Sequence, residues 1–317
     1  MYTRRELGQL ALSALPAIAA RPTLAGAFGS FQKPNSKFSG VQVGLNVPYS
    51  FGGRGLGGDE TLQKCVELGV SAVELRSQPV ESFLGVPPEL VKAGARVSNA
   101  TPEQQAARKA AVDDLRKWRV AAAMGKVTEF RRKYEDAGVT IEIVKFDDIY
   151  ERADDELDYC FGLAKALGAR AISCEISPTE TARLSKFADK HRLMVGYHGH
   201  TSTTPAHWET AFSQAKYNGA NLDIGHFVAG NNTSPVPFIK QHHARVTHIH
   251  VKDRKMKDGP NTPFGQGDTP IKEVLQLIRD NKWPIQATIE FEYPVPAGSD
   301  RMAEIAKCIQ YCKDALR

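Results

Sequence analysis

From Val41 onward two kinds of hydrophobic pattern take turns along the chain. Short apolar, β-branched runs read as strands, and longer stretches with apolar residues three or four positions apart read as amphipathic helices. The runs Val41–Asn46, Val70–Leu75, Val139–Val144, Ala169–Ile176, Leu193–His198, Ala220–Ile224, Arg245–Lys252 and Ile285–Glu292 give eight predicted strands. Helices are predicted over Asp59–Leu68, closed by Gly69, and over Asp154–Leu167, closed by Gly168. Others are predicted from near Thr179, around Glu209–Lys216, around Pro237–His242, and over Ile271–Asn281 and Arg301–Ala315. Thr101, with Gln104 three residues on, has the capping-box spacing and opens a charged helical region running towards Ala137. Residues 76–102, carrying Pro79, Pro87 and Pro88, read as a long loop.

Several strands are apolar throughout rather than alternating, which is expected where both faces are covered. Eight strands, each followed by a helix, are the number that closes a (β/α)8 TIM barrel. No break in composition marks a second domain within residues 41–317. A doubly wound open sheet is the runner-up. Gly53-x-Gly55-x-x-Gly58 matches the dinucleotide fingerprint formally, and Glu74 lies near the ribose-binding distance. That fingerprint should begin at a strand's end, however, and Val47–Gly52 intervene, so the segment reads as a loop at the barrel mouth.

The first residues follow different rules. Arg4-Arg5 precedes an apolar run from Leu10 to Ala20 and then Ala25-Gly26-Ala27. Paired arginines, a short apolar segment and a small-residue cleavage pattern describe a twin-arginine-type signal peptide over residues 1–27. This predicts an exported, periplasmic protein, with residues 28–40 as a flexible lead-in. The apolar run is too short for a transmembrane anchor, so no stable membrane insertion is expected.

Charge narrows the partners. Lys and Arg number 41 against 36 Asp and Glu, a net charge of +5, and no long basic run gathers them. Arg131-Arg132-Lys133 sits beside Glu135 and Asp136 as a solvated helix face, and a nucleic-acid partner is not expected. Of the five cysteines, Cys65, Cys160 and Cys174 lie in apolar surroundings, and Cys308 and Cys312 are one helical turn apart. None has metal-cluster spacing, which excludes a structural thiolate zinc site.

Candidate chemistry collects where barrel enzymes place it, at the C-terminal ends of the strands. Strand two ends in Glu74, strand four in Glu175, strand five in His198-Gly199-His200 and strand six in Asp223-Ile224-Gly225-His226. Strand seven ends in His250 with Lys252-Asp253, and strand eight in Glu290-Phe291-Glu292. Any one of these alone is an ordinary solvated residue or helix cap; six of eight strands ending this way is a pattern. Period two puts His198 with His200, His248 with His250, and Glu290 with Glu292 on shared faces. Imidazole mixed with carboxylate suits Mn²⁺, Co²⁺, Zn²⁺, Fe²⁺ or Mg²⁺.

The motifs GYHGH at 196–200, LDIGH at 222–226, IHVKD at 249–253 and IEFEY at 289–293 resemble the xylose isomerase-like barrel superfamily of sugar phosphate isomerases/epimerases, related to endonuclease IV. The resemblance runs from about Val41 to the end and is most specific after Gly196, with YHGH similar to an exported branch. It implies a divalent metal, with Mn²⁺ favoured, held by Asp223, His250 and Glu290. His226 is similar to a family histidine that contacts substrate or a further metal. Many members carry Glu on strand five where this chain has His198, which becomes the fourth candidate ligand. That departure removes the symmetric two-glutamate arrangement of epimerases. Either Glu175 or His200 could then serve as catalytic base, with Glu290 beside them, and His226, Lys252, Glu74 and Glu292 as substrate contacts.

The implied reaction is metal-dependent isomerisation or epimerisation of a sugar, through proton abstraction beside a carbonyl and an enediolate. An exported lyase cleaving 3-keto-glycosides by β-elimination shares that first step. A non-catalytic sugar-binding barrel is the third reading, against which the density of ionisable groups at the mouth speaks. The expected partner is a small sugar or glycoside, and a homo-oligomer is left open.

Overall fold

A computed structural model describes residues 33–317 apart from Arg54 and Pro178, so the expected export signal, residues 1–27, lies outside the described residues. Eight parallel strands form a closed (β/α)8 barrel. They are β1 (Val41–Val47), β2 (Ala72–Arg76), β3 (Thr140–Lys145), β4 (Ala171–Glu175), β5 (Met194–His198), β6 (Asn218–Asp223), β7 (Val246–Val251) and β8 (Gln286–Ile289). Each pairs in parallel with the next along the chain, and β8 pairs with β1 to complete the ring. The open-sheet alternative is thereby removed. Consecutive residues such as Ile249 and His250 of β7, or Ala287 and Thr288 of β8, are all buried, which is why these strands lack polar alternation.

Helices surround the barrel: α1 (Gly58–Glu67), α2 (Gln78–Phe83), α3 (Pro88–Gly94), α4 (Pro102–Val120), α5 (Met124–Asp136), α6 (Asp154–Ala166), α7 (Thr181–His191), α8 (Pro205–Gln214), α9 (Ile224–Asn231), α10 (Val236–His242), α11 (Ile271–Asp280) and α12 (Arg301–Ala315). The capping box at α4 forms as its sequence predicts, with Thr101 Oγ1 accepting from the Gln104 N–H and Gln104 Oε1 from the Thr101 N–H. Nothing in Ala121–Ala123 explains why the region to Ala137 divides into α4 and α5.

Four expectations are corrected. Residues 76–102 are not one loop, because α2 and α3 lie within them. Pro79 and Pro88 occupy first turns, where the missing N–H costs no hydrogen bond. Helix α9 follows β6 at once and was hidden in the apolar run after Asp223. Strand β8 stops at Ile289, leaving Glu290–Glu292 on the following segment. Finally, residues 33–40 do not trail free. Lys37–Phe38 pairs antiparallel with Val41–Gln42, and the buried Ser36 hydroxyl donates to the Val43 carbonyl while its own carbonyl accepts from the Val43 N–H. This hairpin ties the lead-in to the start of β1, at the end of the barrel opposite the mouth.

Candidate metal centre at the barrel mouth

The strand ends bring His198 (β5), Asp223 (β6), His250 (β7) and Glu290 (after β8) together, with one potential ligand atom from each all within 4.8 Å of one another. His198 Nε2 lies 3.5 Å from Asp223 Oδ2 and 3.9 Å from Glu290 Oε2. On the other side His250 Nδ1 lies 3.9 Å from Asp223 Oδ2 and 3.2 Å from Glu290 Oε2. All four residues are buried. Local sequence explains their aim. Asp223 is the N-cap of α9, its Oδ1 accepting from the His226 N–H at 2.7 Å, which turns Oδ2 to the cluster. Gly225 is required beside it, since a Cβ there would stand 2.4 Å from Lys252 Cγ.

Each histidine has its far nitrogen occupied by a carboxylate. His198 donates from Nδ1 to Glu175 Oε2 at 2.9 Å, and His250 donates from Nε2 to Glu74 Oε2 at 2.5 Å. A carboxylate that takes the far proton fixes the tautomer and directs the other lone pair inward, the usual outer support of a metal-bound imidazole. The inward atoms pass the test of fit: His198 Nε2 and Asp223 Oδ2 are buried without a hydrogen-bond partner, a costly state for polar atoms unless a cation shares them. Lys252 Nζ, 3.0 Å from Asp223 Oδ2, is near enough for charge attraction but not aligned for a hydrogen bond. Glu290 is anchored separately, its Oε1 accepting from Asn46 Nδ2 at 2.7 Å.

Electrostatics agree with a cation-seeking cluster. Burial opposes charge on His250, but Glu74 and Glu290 outweigh it and push its pKa up to about 10, so a cation would have to displace the proton that Nδ1 holds against Glu290 Oε2. Burial likewise opposes ionisation of Asp223, yet His226 and Lys252 hold its carboxyl far below the usual range. Lys252 is buried at 2.6 Å from both Glu290 Oε2 and Glu292 Oε2, and these carboxylates keep it charged despite burial.

The expected base pair is also drawn together. Glu175 Oε2 accepts from His200 Nε2 at 2.8 Å as well as from His198, and its Oε1 accepts from Lys145 Nζ at 2.8 Å. Against its burial, Lys145 and the two histidines hold the Glu175 carboxyl far below its ordinary value. The hydrogen bond to Glu175 raises the pKa of His200, whose ring is more than half exposed. Gly199 allows the turn that brings His200 round, because a Cβ there would meet the Trp208 ring at 2.4 Å.

Among the expected substrate contacts, Glu292 faces the mouth, partly exposed, and His226 borders the centre at 3.9 Å from Asp223 Oδ2. Burial pushes the His226 pKa down to about 3, with Lys252 adding to this against the pull of Asp223. Glu74 and Lys252 are placed differently from that expectation. Glu74 is fully buried, within 3.3 Å of His248 Nε2 besides its bond to His250, so it lies behind the ligand rather than in the mouth. Lys252 is enclosed by carboxylates instead of open to solvent.

Sequence reading missed Asn46, Lys145 and Arg254. The first two are polar residues inside apolar strand runs, a signal that was present and unused. Arg254, whose Nη1 donates to His226 Nδ1 at 2.7 Å, gave no such signal.

The surrounding fold has many counterparts. A xylose isomerase domain protein from Planctomyces limnophilus is similar with a TM-score of 0.59 and 14% identity, over 87% of this chain and 96% of that one. D-Psicose 3-epimerase with D-tagatose from Clostridium cellulolyticum H10 gives 0.60 and 11%, over 86% and 98%. A xylose isomerase-like TIM barrel protein from Mycobacterium smegmatis in complex with magnesium gives 0.52 and 11%, over 87% and 96%. Identities this low speak for a shared fold alone. No curated protein sequence matches the chain. A family profile described as xylose isomerase-like TIM barrel does match, along residues 62–314. Covering most of the chain and all but the first barrel strand, that match shows that this protein belongs to the xylose isomerase-like TIM barrel family.

Proposed function

We propose that the protein is a divalent-metal-dependent sugar isomerase or epimerase that works through an enediolate. The observation that carries this reading is the buried His198–Asp223–His250–Glu290 cluster, with inward His198 Nε2 and Asp223 Oδ2 left without hydrogen-bond partners. A divalent cation there would polarise a sugar carbonyl and an adjacent hydroxyl, making the intervening carbon-bound proton more acidic. That a D-psicose 3-epimerase and a magnesium-bound barrel share the fold supports the class without fixing the metal, for which Mn²⁺ is our choice.

The base we assign is His200. Glu175, already accepting from Lys145, His198 and His200, has its lone pairs committed and its charge stabilised, which makes it a poor proton acceptor. Its role is to take the Nε2 proton of His200 and so leave Nδ1 as the free basic nitrogen on an exposed ring. This is the base-and-orienter logic of hydrolytic triads applied to a carbon acid. Returning the proton to the neighbouring carbon gives isomerisation, and returning it to the opposite face gives epimerisation.

The test is metal analysis followed by exchange of sugar protons in D₂O over a panel of free sugars, sugar phosphates and 3-keto-glycosides. His200→Gln is expected to keep its metal and slow exchange by about 10²- to 10⁴-fold, the usual range for a general base. His198→Gln is expected to lose metal and exchange together. If Glu175→Gln instead keeps metal and abolishes exchange while His200→Gln only raises KM, the base is Glu175. Exchange seen only with 3-keto-glycosides, accompanied by cleavage, would move the protein to the lyase reading. Arg4-Arg5 and Ala25-Gly26-Ala27 further support export by the twin-arginine route. N-terminal sequencing of periplasmic material should then begin near Phe28, and active cytoplasmic protein retaining Met1 would end that idea.

A further inference from the structure

Beside the candidate centre lies a cavity of about 560 Å³ bounded by Tyr49, Gly53, Asn261, Phe291, Glu292 and Arg301. It opens between the segment after β1, the loop after β7 and the start of α12, on the same face of the barrel as the metal cluster. Glu292 joins the two spaces: its Oε2 accepts from Lys252 Nζ at 2.6 Å on the centre's side, and its Oε1 accepts from the Tyr49 hydroxyl at 2.8 Å on the cavity's side. From this cavity we infer a second sugar subsite, so that the substrate is a glycoside carrying a neutral, hydroxyl-rich unit beyond the reacting ring. The inference rests on the enediolate reading for the first ring alone.

Its chemistry excludes some occupants and suits others. Glu292 and Arg301 set one carboxylate and one guanidinium on the wall, so the lining has no excess of positive groups to draw in a phosphate or a carboxylate. Arg301 Nη1 donates to the Ser50 carbonyl at 3.3 Å, and its guanidinium stands over the Phe291 ring at 5.0 Å. Asn261 Oδ1 is buried with no partner, although its Nδ2 donates to Glu292 Oε2 at 3.4 Å. An unpaired acceptor of this kind calls for a donor such as a sugar hydroxyl. Tyr49 adds aromatic carbon at the cavity edge and is held in place by Arg76, 4.6 Å from its ring centroid, while Phe291 is buried beneath Arg301. The lining is mainly polar, which suits a hydroxyl-rich unit, and the volume falls in the usual size range of small-molecule pockets, roughly 300–1,000 Å³.

Gly53 gives the means of testing it. A Cβ built there meets nothing within 4 Å, so a large side chain can be placed at the cavity's lining without striking the barrel. Calorimetric binding of glucose, a set of α- and β-linked glucobioses, and glucose 6-phosphate is compared on the Mn²⁺-loaded protein. At least one glucobiose should bind tenfold or more tighter than glucose, and glucose 6-phosphate should gain nothing. Gly53→Trp and, independently, Asn261→Leu should each lower that disaccharide-to-monosaccharide ratio at least fivefold, with thermal melting reporting that both fold. Equal affinities for glucose and every glucobiose, a ratio untouched by both variants, or tighter binding of the phosphate would each overturn the subsite. Failure of the enediolate reading shows separately, as an absence of D₂O exchange in a protein whose binding ratio is intact.

Discussion

Two clusters of buried charge lie on this barrel, and they differ in what they leave open. One is the candidate metal-ligand cluster at the ends of β5 to β8. The other joins α2, α4 and α6 outside β2 and β3. There Arg119 grips Glu81 with both Nε, at 2.9 Å, and Nη2, at 3.3 Å, while its Nη1 donates to Glu156 Oε1 at 3.0 Å. Arg152 pairs with Asp148 Oδ1 at 2.8 Å and donates to Cys160 Sγ at 3.1 Å. Among Glu81, Arg119, Asp148, Arg152 and Glu156 no buried side-chain atom lacks a partner, whereas at the mouth His198 Nε2 and Asp223 Oδ2 do. Burial and charge density are common to both. Satisfied valence marks a clamp between helices, and unsatisfied valence marks a site.

The comparison predicts that metal affinity separates the consequences of breaking each cluster. The largest effect on function is expected from His250→Ala. It should lower metal affinity by about 10- to 100-fold or more, since even outer-sphere losses reach that range, and exchange should fall with it. Melting of the metal-free protein should fall as well, because His250 is buried between Glu74 and Glu290 and its loss removes a partner from each. Full metal content and activity in this variant would refute the assignment. Arg119→Met should cost stability alone. It leaves Glu81 with the longer contacts to Arg152 at 3.7 Å and Tyr159 at 3.5 Å, and Glu156 with the Ala153 N–H. Denaturant melts should report a loss of about 3 kcal/mol, the low end for breaking a buried pair, with metal affinity unchanged. Metal loss without destabilisation would mean that the clamp belongs to the site.

A smaller effect sharpens the boundary between the two. Lys145 is a buried ion-pair partner of Glu175, as Arg119 is of Glu81, but it stands one carboxylate removed from a candidate ligand. Lys145→Met should therefore loosen Glu175 and, through it, the orientation of His198, reducing metal affinity by about tenfold, the low end for outer support. Metal titration of the variant, with Lys145→Arg as the charge-preserving comparison, decides this. Equal affinity in all three proteins would class Lys145 with the helix clamp.

Much of the barrel was legible along the chain, because uninterrupted apolar runs separated by amphipathic stretches have few other ways to bury both faces of a strand. The helices that escaped notice did so for local reasons. In α2 and α3 the prolines sit in first turns, and α9 begins inside an apolar run with its N-cap, Asp223, doubling as a site residue. The four candidate ligands were legible for a related reason: a strand end has a fixed direction, so residue type and position there suffice to place a side chain at the mouth.

The roles around those ligands were not legible. Sequence by itself determined the strand count, the closure and the ring of His, Asp and Glu at the mouth, since these follow from periodicity and chemical type. Only the tertiary structure decided that Glu74 lies behind His250 and not before it, that Glu175 is tied to Lys145, and that Lys252 is enclosed by Asp223, Glu290 and Glu292. Each of these joins residues from different strands or the segments just after them, 29 to 176 positions apart. Whether a carboxylate becomes a base, a ligand or a support depends on which donor reaches it first. That is set by the tilt and register of neighbouring strands, which no single run of residues encodes.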